Sequence, residues 1–111
     1  MNKAIYTQYF KSRAKRLLNK FSTLRNELID LESQLLKIPT LGTPLGNGLY
    51  KIRLGAKSKG GGKSGGFRVI TYLIEENENS SDIYFITIYD KSEEDTLDKK
   101  MLLKIIKNTI E

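Results

Sequence analysis

Hydrophobic and polar residues alternate with a period of two on both sides of a glycine- and lysine-rich stretch in the middle of the chain. The alternation predicts one strand from about residue 48 to residue 54 and a second from residue 67 to about residue 75. The first strand carries Tyr50, Ile52 and Leu54 on one face and Leu49, Lys51 and Arg53 on the other. The second carries Phe67, Val69 and Thr71 on one face and Arg68, Ile70 and Tyr72 on the other. The pattern thus predicts two strands, carrying Arg53 and Arg68, on either side of the glycine- and lysine-rich stretch.

The N-terminal third is predicted to form a short strand and then two helices. Residues 4–7 are β-prone, and Thr7 either belongs to this strand, which could extend to residue 10, or caps the helix that follows. By residue 11 the spacing is helical, with the apolar stripe Phe10, Ala14, Leu17, Leu18 and Phe21. A second helix, capped by Ser22 or Thr23, is predicted to extend to about residue 37, with the stripe Leu24, Leu28, Leu31 and Leu35. The two helices form a hairpin whose apolar faces need a sheet to cover.

The remaining segments predict a loop, one more strand and a final helix. Residues 38–48 contain both prolines and three glycines, which predicts a connecting loop. After a polar turn at residues 76–81, residues 82–89 are apolar at nearly every position, as in a strand that is buried on both faces. Residues 92–95 resemble a capping box, and the last helix is predicted to run to about residue 108. Its inward residues are expected to be Leu97, Met101, Leu102, Ile105 and Ile106.

The predicted element order is β-α-α-β-β-β-α, which places the chain in the α+β class. We expect one domain over residues 1–111, because a chain of this length has material for one core but not for two. In this domain an N-terminal strand and a helical hairpin pack on a small, mainly antiparallel sheet, together with a C-terminal helix. No internal repeat suggests another architecture.

Positive charge is concentrated in the first part of the chain. The net charge is +6, but residues 1–66 carry 13 Lys/Arg against 3 Asp/Glu, whereas residues 67–111 carry 6 against 10. A basic surface beside a more acidic one favours a nucleic acid or another anionic partner. A merely solvated basic surface explains the excess equally well.

The absence of cysteine and histidine excludes several kinds of chemistry. Without cysteine the chain has no disulfide, no thiolate and no zinc–cysteine site. Without histidine it also lacks the commonest general base and the usual transition-metal ligand. We therefore expect no metal and no cofactor. No apolar run approaches the roughly 20 residues of a membrane-spanning helix, so a cytoplasmic location is the expectation.

The glycine-rich stretch contains short matches to phosphate-binding motifs, but the structural context that these motifs require is missing. Residues 62–64, Gly-Lys-Ser, resemble the end of a Walker loop, and glycines 60, 62 and 65 match the spacing of a dinucleotide fingerprint. Both motifs need a helix directly afterwards, because its N-terminal amides hold the phosphate. The residues that follow predict a strand instead, so we treat these matches as coincidences.

Three segments, taken in order, resemble the RelE/ParE superfamily of bacterial toxins from toxin–antitoxin pairs, and more narrowly its HigB/RelE-like branch. They are residues 48–53 (Gly-Leu-Tyr-Lys-Ile-Arg), residues 65–72 (Gly-Gly-Phe-Arg-Val-Ile-Thr-Tyr) and residues 88–97 (Ile-Tyr-Asp-Lys-Ser-Glu-Glu-Asp-Thr-Leu). Length, element order, helical hairpin and proline–glycine loop agree as well. The resemblance implies a ribosome-dependent mRNA endonuclease that inhibits translation. It also implies a metal-free reaction in which the RNA 2′-OH attacks the adjacent phosphate.

The resemblance also implies candidate catalytic residues. Lys51 and Arg53 are similar to the paired basic residues of RelE-like enzymes, and by alternation they share a face that we expect to lie opposite the core. Arg68 is the candidate for stabilising phosphate charge, because its guanidinium can contact phosphate at two points. Tyr89 and Lys91 end the last strand, where similar proteins place catalytic or substrate-positioning groups. For Tyr89, stacking on a base, relaying a proton and packing at the edge of the core all remain open.

Three lysines of the glycine-rich stretch are candidates for contact with RNA. They are Lys57, Lys59 and Lys63. Their partner could be the mRNA backbone or ribosomal RNA, and a loop that is merely soluble has the same composition.

The partners implied by the resemblance are the ribosome, mRNA and a cognate antitoxin. The antitoxin is expected to have acidic segments that cover Lys51, Arg53 and Arg68 or that lock the first two helices. Two alternatives share the features described: a ParE-like poison of DNA gyrase without nuclease activity, and an RNA-binding module that cleaves nothing. Arg53 and Arg68 favour the nuclease, because inhibition of a topoisomerase does not require a phosphate-clamping cleft.

Overall fold

In this computed structural model, the structure describes residues 1–55, 66–92 and 98–110, which form five strands and three helices. Within these ranges no helix is long and apolar enough to cross a membrane. The elements are β1 (Lys3–Tyr6), α1 (Gln8–Lys20), α2 (Leu24–Lys37), β2 (Thr43–Gly46), β3 (Leu49–Leu54), β4 (Phe67–Asn77), β5 (Ser80–Asp90) and α3 (Lys99–Thr109).

The strands form one mixed sheet in the order β1-β5-β4-β3-β2. The chain-adjacent pairs β2–β3, β3–β4 and β4–β5 are antiparallel. β1 lies parallel to β5, and the α1–α2 hairpin belongs to the long connection that such a parallel pairing requires. The α+β prediction, with an N-terminal strand, a helical hairpin and a C-terminal helix on a mainly antiparallel sheet, is confirmed.

The main core lies between the helical hairpin and one face of the sheet. The predicted leucine stripe of α2 is confirmed, since Leu24, Leu28, Leu31 and Leu35 are all buried. From α1 the buried residues are Phe10, Ala14 and Leu17. The sheet contributes Ile52, Phe67, Val69, Ile83, Phe85 and Ile88. The apolar faces of α1 and α2 therefore pack against the apolar face of the sheet in one continuous core.

A second, smaller core lies on the opposite face of the sheet, beneath α3. Its buried residues are Leu49, Ile70, Ile86, Tyr89, Leu102 and Ile106. β5 contributes to both cores, as expected for a strand that is apolar at nearly every position. The sheet face of Lys51 and Arg53 was expected to lie opposite the core. It is in fact partly covered by this second core.

Thr7 ends β1 and starts α1. Its hydroxyl accepts a hydrogen bond from the backbone N–H of Phe10 at 3.1 Å, which is the capping geometry, and donates to the carbonyl of Phe85 at 2.9 Å. Of the two sequence-based alternatives for Thr7, the cap is correct. α1 begins at Gln8, three residues earlier than its apolar pattern indicated, because the capping bond stabilises the first turn.

Two predicted segments differ from the structure. The proline–glycine loop of residues 38–48 contains an additional strand, β2, which pairs with β3 at the edge of the sheet. Pro44 is tolerated because β2 is an edge strand. Proline has no N–H to donate, but the outer side of an edge strand has no neighbouring strand to accept a hydrogen bond. The turn into β3 uses a left-handed Asn47 with φ of 55°, between Gly46 and Gly48, which also have positive φ. The predicted turn at residues 76–81 is narrower, since Asn77 still pairs with Ser80.

The start of the last helix also differs from its prediction. Asp98, and not the box at residues 92–95, caps α3, since its carboxylate accepts from the N–H of Lys100 at 2.9 Å. Residues 93–97, including the expected core residue Leu97, lie outside the described residues. Met101 was expected to point inward but is 41% exposed, because α3 turns only a narrow stripe around Leu102 and Ile106 to the sheet.

A hydrogen bond between Tyr6 and Glu32 joins β1 to α2. The phenol donates to the carboxylate Oε1 at 2.5 Å. The Tyr6 ring is stacked on Phe85, with centroids 4.4 Å apart. Burial, followed by the hydrogen bond to Glu32 and the charge of that carboxylate, raises the pKa of Tyr6 well above its ordinary value.

We expect Leu35→Ala to lower the free energy of unfolding by about 2–5 kcal/mol, because it removes a fully buried side chain and leaves a cavity. The matched control is the next residue, Leu36, which is 36% exposed, and Leu36→Ala should cost less than about 1 kcal/mol. Urea denaturation of both variants measures the difference. Equal costs would contradict the assignment of the core face of α2.

We expect the protein to lose stability as the pH rises above about 10, with Tyr6 as a contributor. In this range the phenol ionises in the unfolded chain, where its pKa is ordinary, while the folded state keeps it neutral. Ionisation therefore favours the unfolded state. Denaturation midpoints between pH 8 and pH 11 should fall less steeply for Tyr6→Phe than for the unsubstituted chain. Parallel curves would show that Tyr6 does not contribute.

Candidate nucleic-acid interface

The register of β3, β4 and β5 aligns three of the predicted site residues across the sheet. Arg53 is the Cα partner of Arg68, and Arg68 is the Cα partner of Tyr89. Directly opposed residues point to the same face of a sheet, with Cβ atoms about 5 Å apart. We call Arg53, Arg68 and Tyr89 the cross-strand row. Lys51 lies on the same face, two residues along β3 and opposite Ile70.

The two arginines of the cross-strand row have different surroundings. Arg53 is exposed, whereas Arg68 is only 4% exposed. The Nη1 of Arg68 donates to the carbonyl of Phe67 at 3.2 Å. Like charges directly opposite each other weaken a sheet, and a buried cation loses hydration. This pair therefore costs stability, as groups selected for binding commonly do.

Tyr89 is part of the second core. It is 3% exposed and belongs to the cluster that contains Ile70, Leu102 and Ile106. Of the alternatives that the sequence left open for Tyr89, the structure shows packing in the core. Its Cα is nevertheless paired with that of Arg68, so the two side chains leave the sheet on the same face.

A tight turn positions Lys91 directly after β5. The buried carboxylate of Asp90 accepts hydrogen bonds from the N–H of Ser92 at 2.9 Å and from its hydroxyl at 2.8 Å. The backbone N–H of Lys91 donates to the carbonyl of Gly66 at 3.1 Å, which continues the β4–β5 ladder by one step. Lys91 is half-buried, at the end of the sheet where the cross-strand row lies.

Gly66 allows β3 and β4 to approach closely beside the cross-strand row. A Cβ atom at this position would lie 2.4 Å from the carbonyl oxygen of Leu54, which no real side chain tolerates. Gly66 and Asp90 both shape this end of the sheet, and the sequence did not single out either. Gly66 is one of five glycines between residues 60 and 66. The sequence alone does not show which of these positions requires glycine for close packing.

A cleft between α2 and β3 includes one member of the cross-strand row. About 530 Å³ in volume, it is bordered by Glu27, Asp30 and Gln34 from α2. Residues 51–55, which include Lys51 and Arg53, form its other wall. Because carboxylates repel phosphate, the cross-strand row is a better candidate for contact with a polyanion than the α2 wall of this cleft.

The three loop lysines, Lys57, Lys59 and Lys63, lie outside the described residues. α3 packs on the face that carries the cross-strand row through Leu102 and Ile106, and the Nζ of Lys99 donates to the carbonyl of Leu45 at 2.9 Å. In residues 1–55, 66–92 and 98–110 no group of three His, Cys, Asp or Glu is placed to hold a metal ion.

Comparisons with known proteins do not supply a family. No protein-family model matches the chain, and no curated protein sequence matches it significantly. Any function has to be argued from the arrangement described above.

We expect Arg68→Ala to destabilise the protein by about 1–3 kcal/mol and Arg53→Ala to change stability by less than about 0.5 kcal/mol. The first substitution removes a buried stem and a hydrogen bond, whereas the second removes an exposed side chain and relieves repulsion. Urea denaturation measures both values. A larger loss for Arg53→Ala would contradict the burial of these two side chains.

Proposed function

We propose that this protein is the toxin of a toxin–antitoxin pair and acts in the cytoplasm as a ribosome-dependent mRNA endonuclease. The observation that carries the proposal is the Arg53–Arg68 pair, two cations opposed on neighbouring strands, one exposed and one buried. Such a pair is costly in the free protein and is favourable once an anion lies against it. The resemblance of three segments to RelE-like toxins gives the anion its identity, which is the mRNA phosphate backbone.

In the proposed reaction the RNA provides its own nucleophile. The 2′-oxygen forms a bond to the adjacent phosphorus, the bond from phosphorus to the 5′-oxygen breaks, and the products are a 2′,3′-cyclic phosphate and a 5′-hydroxyl. The 2′-OH loses a proton and the leaving 5′-oxygen gains one. Negative charge on the phosphoryl oxygens increases in the transition state, so fixed cations at this position lower the barrier.

The residues have different parts in this proposal. Arg53 contacts the phosphate directly, because it is the exposed member of the pair. Arg68 is buried beneath the surface that would contact the RNA, and its positive charge stabilises the phosphate electrostatically. At this depth water and salt screen the charge less than they screen a surface charge. Lys51 and Lys91, both half-buried, border the cross-strand row and are the groups within the described residues best placed to exchange protons with the RNA. Tyr89 is the cross-strand neighbour of Arg68 and packs in the second core.

The partners in this proposal are those that the resemblance implies, and the charge distribution agrees with them. Residues 1–66, with 13 Lys/Arg against 3 Asp/Glu, favour association with RNA on the ribosome, because anionic surfaces steer basic proteins towards them. A cognate antitoxin with acidic segments would bind the same protein and keep it inactive in the cell.

We expect the protein to cut mRNA within the reading frame during translation by purified ribosomes, and not to cut the same mRNA without ribosomes. Arg53→Ala should lower the cutting rate at least tenfold while the protein stays folded, since this arginine meets the phosphate. Arg68→Met keeps the buried stem and removes the charge, so it should also reduce cutting. Lys107→Ala, on α3, is the matched control and should leave the rate unchanged. Mapping of 5′ ends gives the readout.

Uncut mRNA and normal translation would contradict the proposal. Inhibition of DNA supercoiling by gyrase would then support a gyrase poison. Salt-sensitive RNA binding without cleavage would support an RNA-binding module.

A further inference from the structure

The cleft between α2 and β3 has one wall with carboxylates and one wall with cations. The first wall carries Glu27 and Asp30, and the second includes Lys51 and Arg53. The apolar residues that line the cleft between these walls are Leu31, Leu41, Ile52 and Leu54. Its volume of about 530 Å³ lies within the range of small-molecule sites. The cleft therefore suits a ligand with an apolar middle, hydrogen-bond donors at one end and an anion at the other.

The edge of β3 is open to this cleft. Within the described residues, the pairing of β2 with β3 ends at Lys51. A Cβ atom at Gly66 would lie 2.4 Å from the carbonyl oxygen of Leu54, so this carbonyl points towards β4. Because carbonyls alternate in direction along a strand, the carbonyl of Arg53 points the other way, towards the cleft. The N–H of Gly55 does so too, since it opposes the Leu54 carbonyl in the same trans peptide.

The α2 wall presents acceptors beside a donor. Asp30 and Gln34 are both exposed and four residues apart, which makes them neighbours on one side of the helix, about 6 Å apart along its axis. The carboxylate of Asp30 has two acceptor oxygens, whereas the amide of Gln34 can donate. Glu27 adds a second carboxylate, whose Oε1 accepts from the Thr23 hydroxyl at 3.3 Å. The wall thus complements a ligand edge with two neighbouring donors and then an acceptor.

Guanine is the nucleobase with this order of groups. Its Watson–Crick edge carries two neighbouring donors, N1–H and the N2 amino group, followed by the acceptor O6. Adenine, cytosine and uracil have no two neighbouring donors on this edge. Each of them would place an acceptor against the carboxylate of Asp30, and such a mismatch is costly when both groups lose water. The α2 wall therefore favours guanine over the other bases.

Arg53 joins the cleft to the cross-strand row. Its backbone borders the cleft at the edge of β3, and its exposed side chain lies on the face of the row, beside Arg68. A nucleotide has the same layout, with a base at one end of the sugar and a phosphate at the other. The carboxylates of α2 repel phosphate and the arginines attract it, so only one orientation of a nucleotide is favourable.

We propose that the cleft between α2 and β3 binds the guanine base of a nucleotide whose phosphate contacts Arg53. Asp30 accepts from N1–H and the N2 amino group, Gln34 or the N–H of Gly55 donates to O6, and the ring lies on the apolar lining. Free guanosine monophosphate and guanine in RNA offer the same chemistry. For RNA the inference rests on the proposed function and gives it a base preference, whereas for the free nucleotide it stands alone.

Titration of the whole protein with 5′-GMP, followed by two-dimensional NMR of the backbone amides, tests this inference. GMP should bind at least tenfold more tightly than AMP, CMP or UMP and should shift signals of α2 and β3. Asp30→Asn should weaken GMP binding at least tenfold, because the amide offers one acceptor in place of two. Glu76→Gln, the same exchange at an exposed residue of β4, is the matched control and should change nothing. Arg53→Ala should weaken the binding of GMP but not of guanosine, which has no phosphate.

A second titration distinguishes the two sources of the base. The RNA UUGUU, with 2′-deoxyguanosine at its centre so that it is not cut there, is compared with UUAUU made in the same way. Tighter binding of UUGUU than of GMP, lost in Asp30→Asn, would identify RNA as the ligand. Tighter binding of GMP would identify the free nucleotide. These titrations contain no ribosomes, so their outcome is independent of whether the protein cuts mRNA.

Three results would overturn the inference whatever the nuclease assay shows. GMP could fail to bind, or all four nucleotides could bind equally well. Asp30→Asn could bind GMP as tightly as the unsubstituted chain, which would place the base elsewhere. Inorganic phosphate could bind as tightly as GMP, and the arginines would then bind phosphate without any contribution from the cleft.

Discussion

β5 presents apolar side chains on both faces, so the sheet needs a cover on each side. Ile83, Phe85 and Ile88 face the helical hairpin, while Ile86 and Tyr89 face α3. Burial of an apolar side chain contributes about 1.5–3 kcal/mol, so neither face of such a strand can remain in water without a large loss. The position of β5 between β1 and β4 follows from the same constraint, because an edge strand would leave part of this surface exposed.

This constraint also determines where the cations can lie. α3 covers the second face only in part, with two buried residues, Leu102 and Ile106. The cross-strand row lies on this incompletely covered face, at the end where β3 and β5 stop and β4 begins. Arg68 is thereby held in a partly dry environment beside Tyr89, which strengthens its electric field at the surface. An exposed arginine on a fully solvated sheet would be screened far more.

The sequence by itself determined the elements whose periodicity is local. Alternation gave β3 and β4, a nearly continuous apolar run gave β5, and three- and four-residue spacing gave the hairpin with the buried stripe of α2. Thr7 was recognisable as a possible cap from its residue type. These features depend on neighbours within a few positions, so they are visible in any short window of the chain.

Only the tertiary structure decided which distant residues meet and which of them are buried. β2 exists because the edge of β3 was available to a segment whose prolines and glycines argue against a strand. The alignment of Arg53 with Arg68 and Tyr89 depends on two strand registers, and a shift of one residue would place these side chains on different faces. Arg68 is buried and Arg53 exposed although the two arginines lie opposite each other on neighbouring strands. Register and burial result from packing between segments that are far apart in the chain, and no local pattern records that packing.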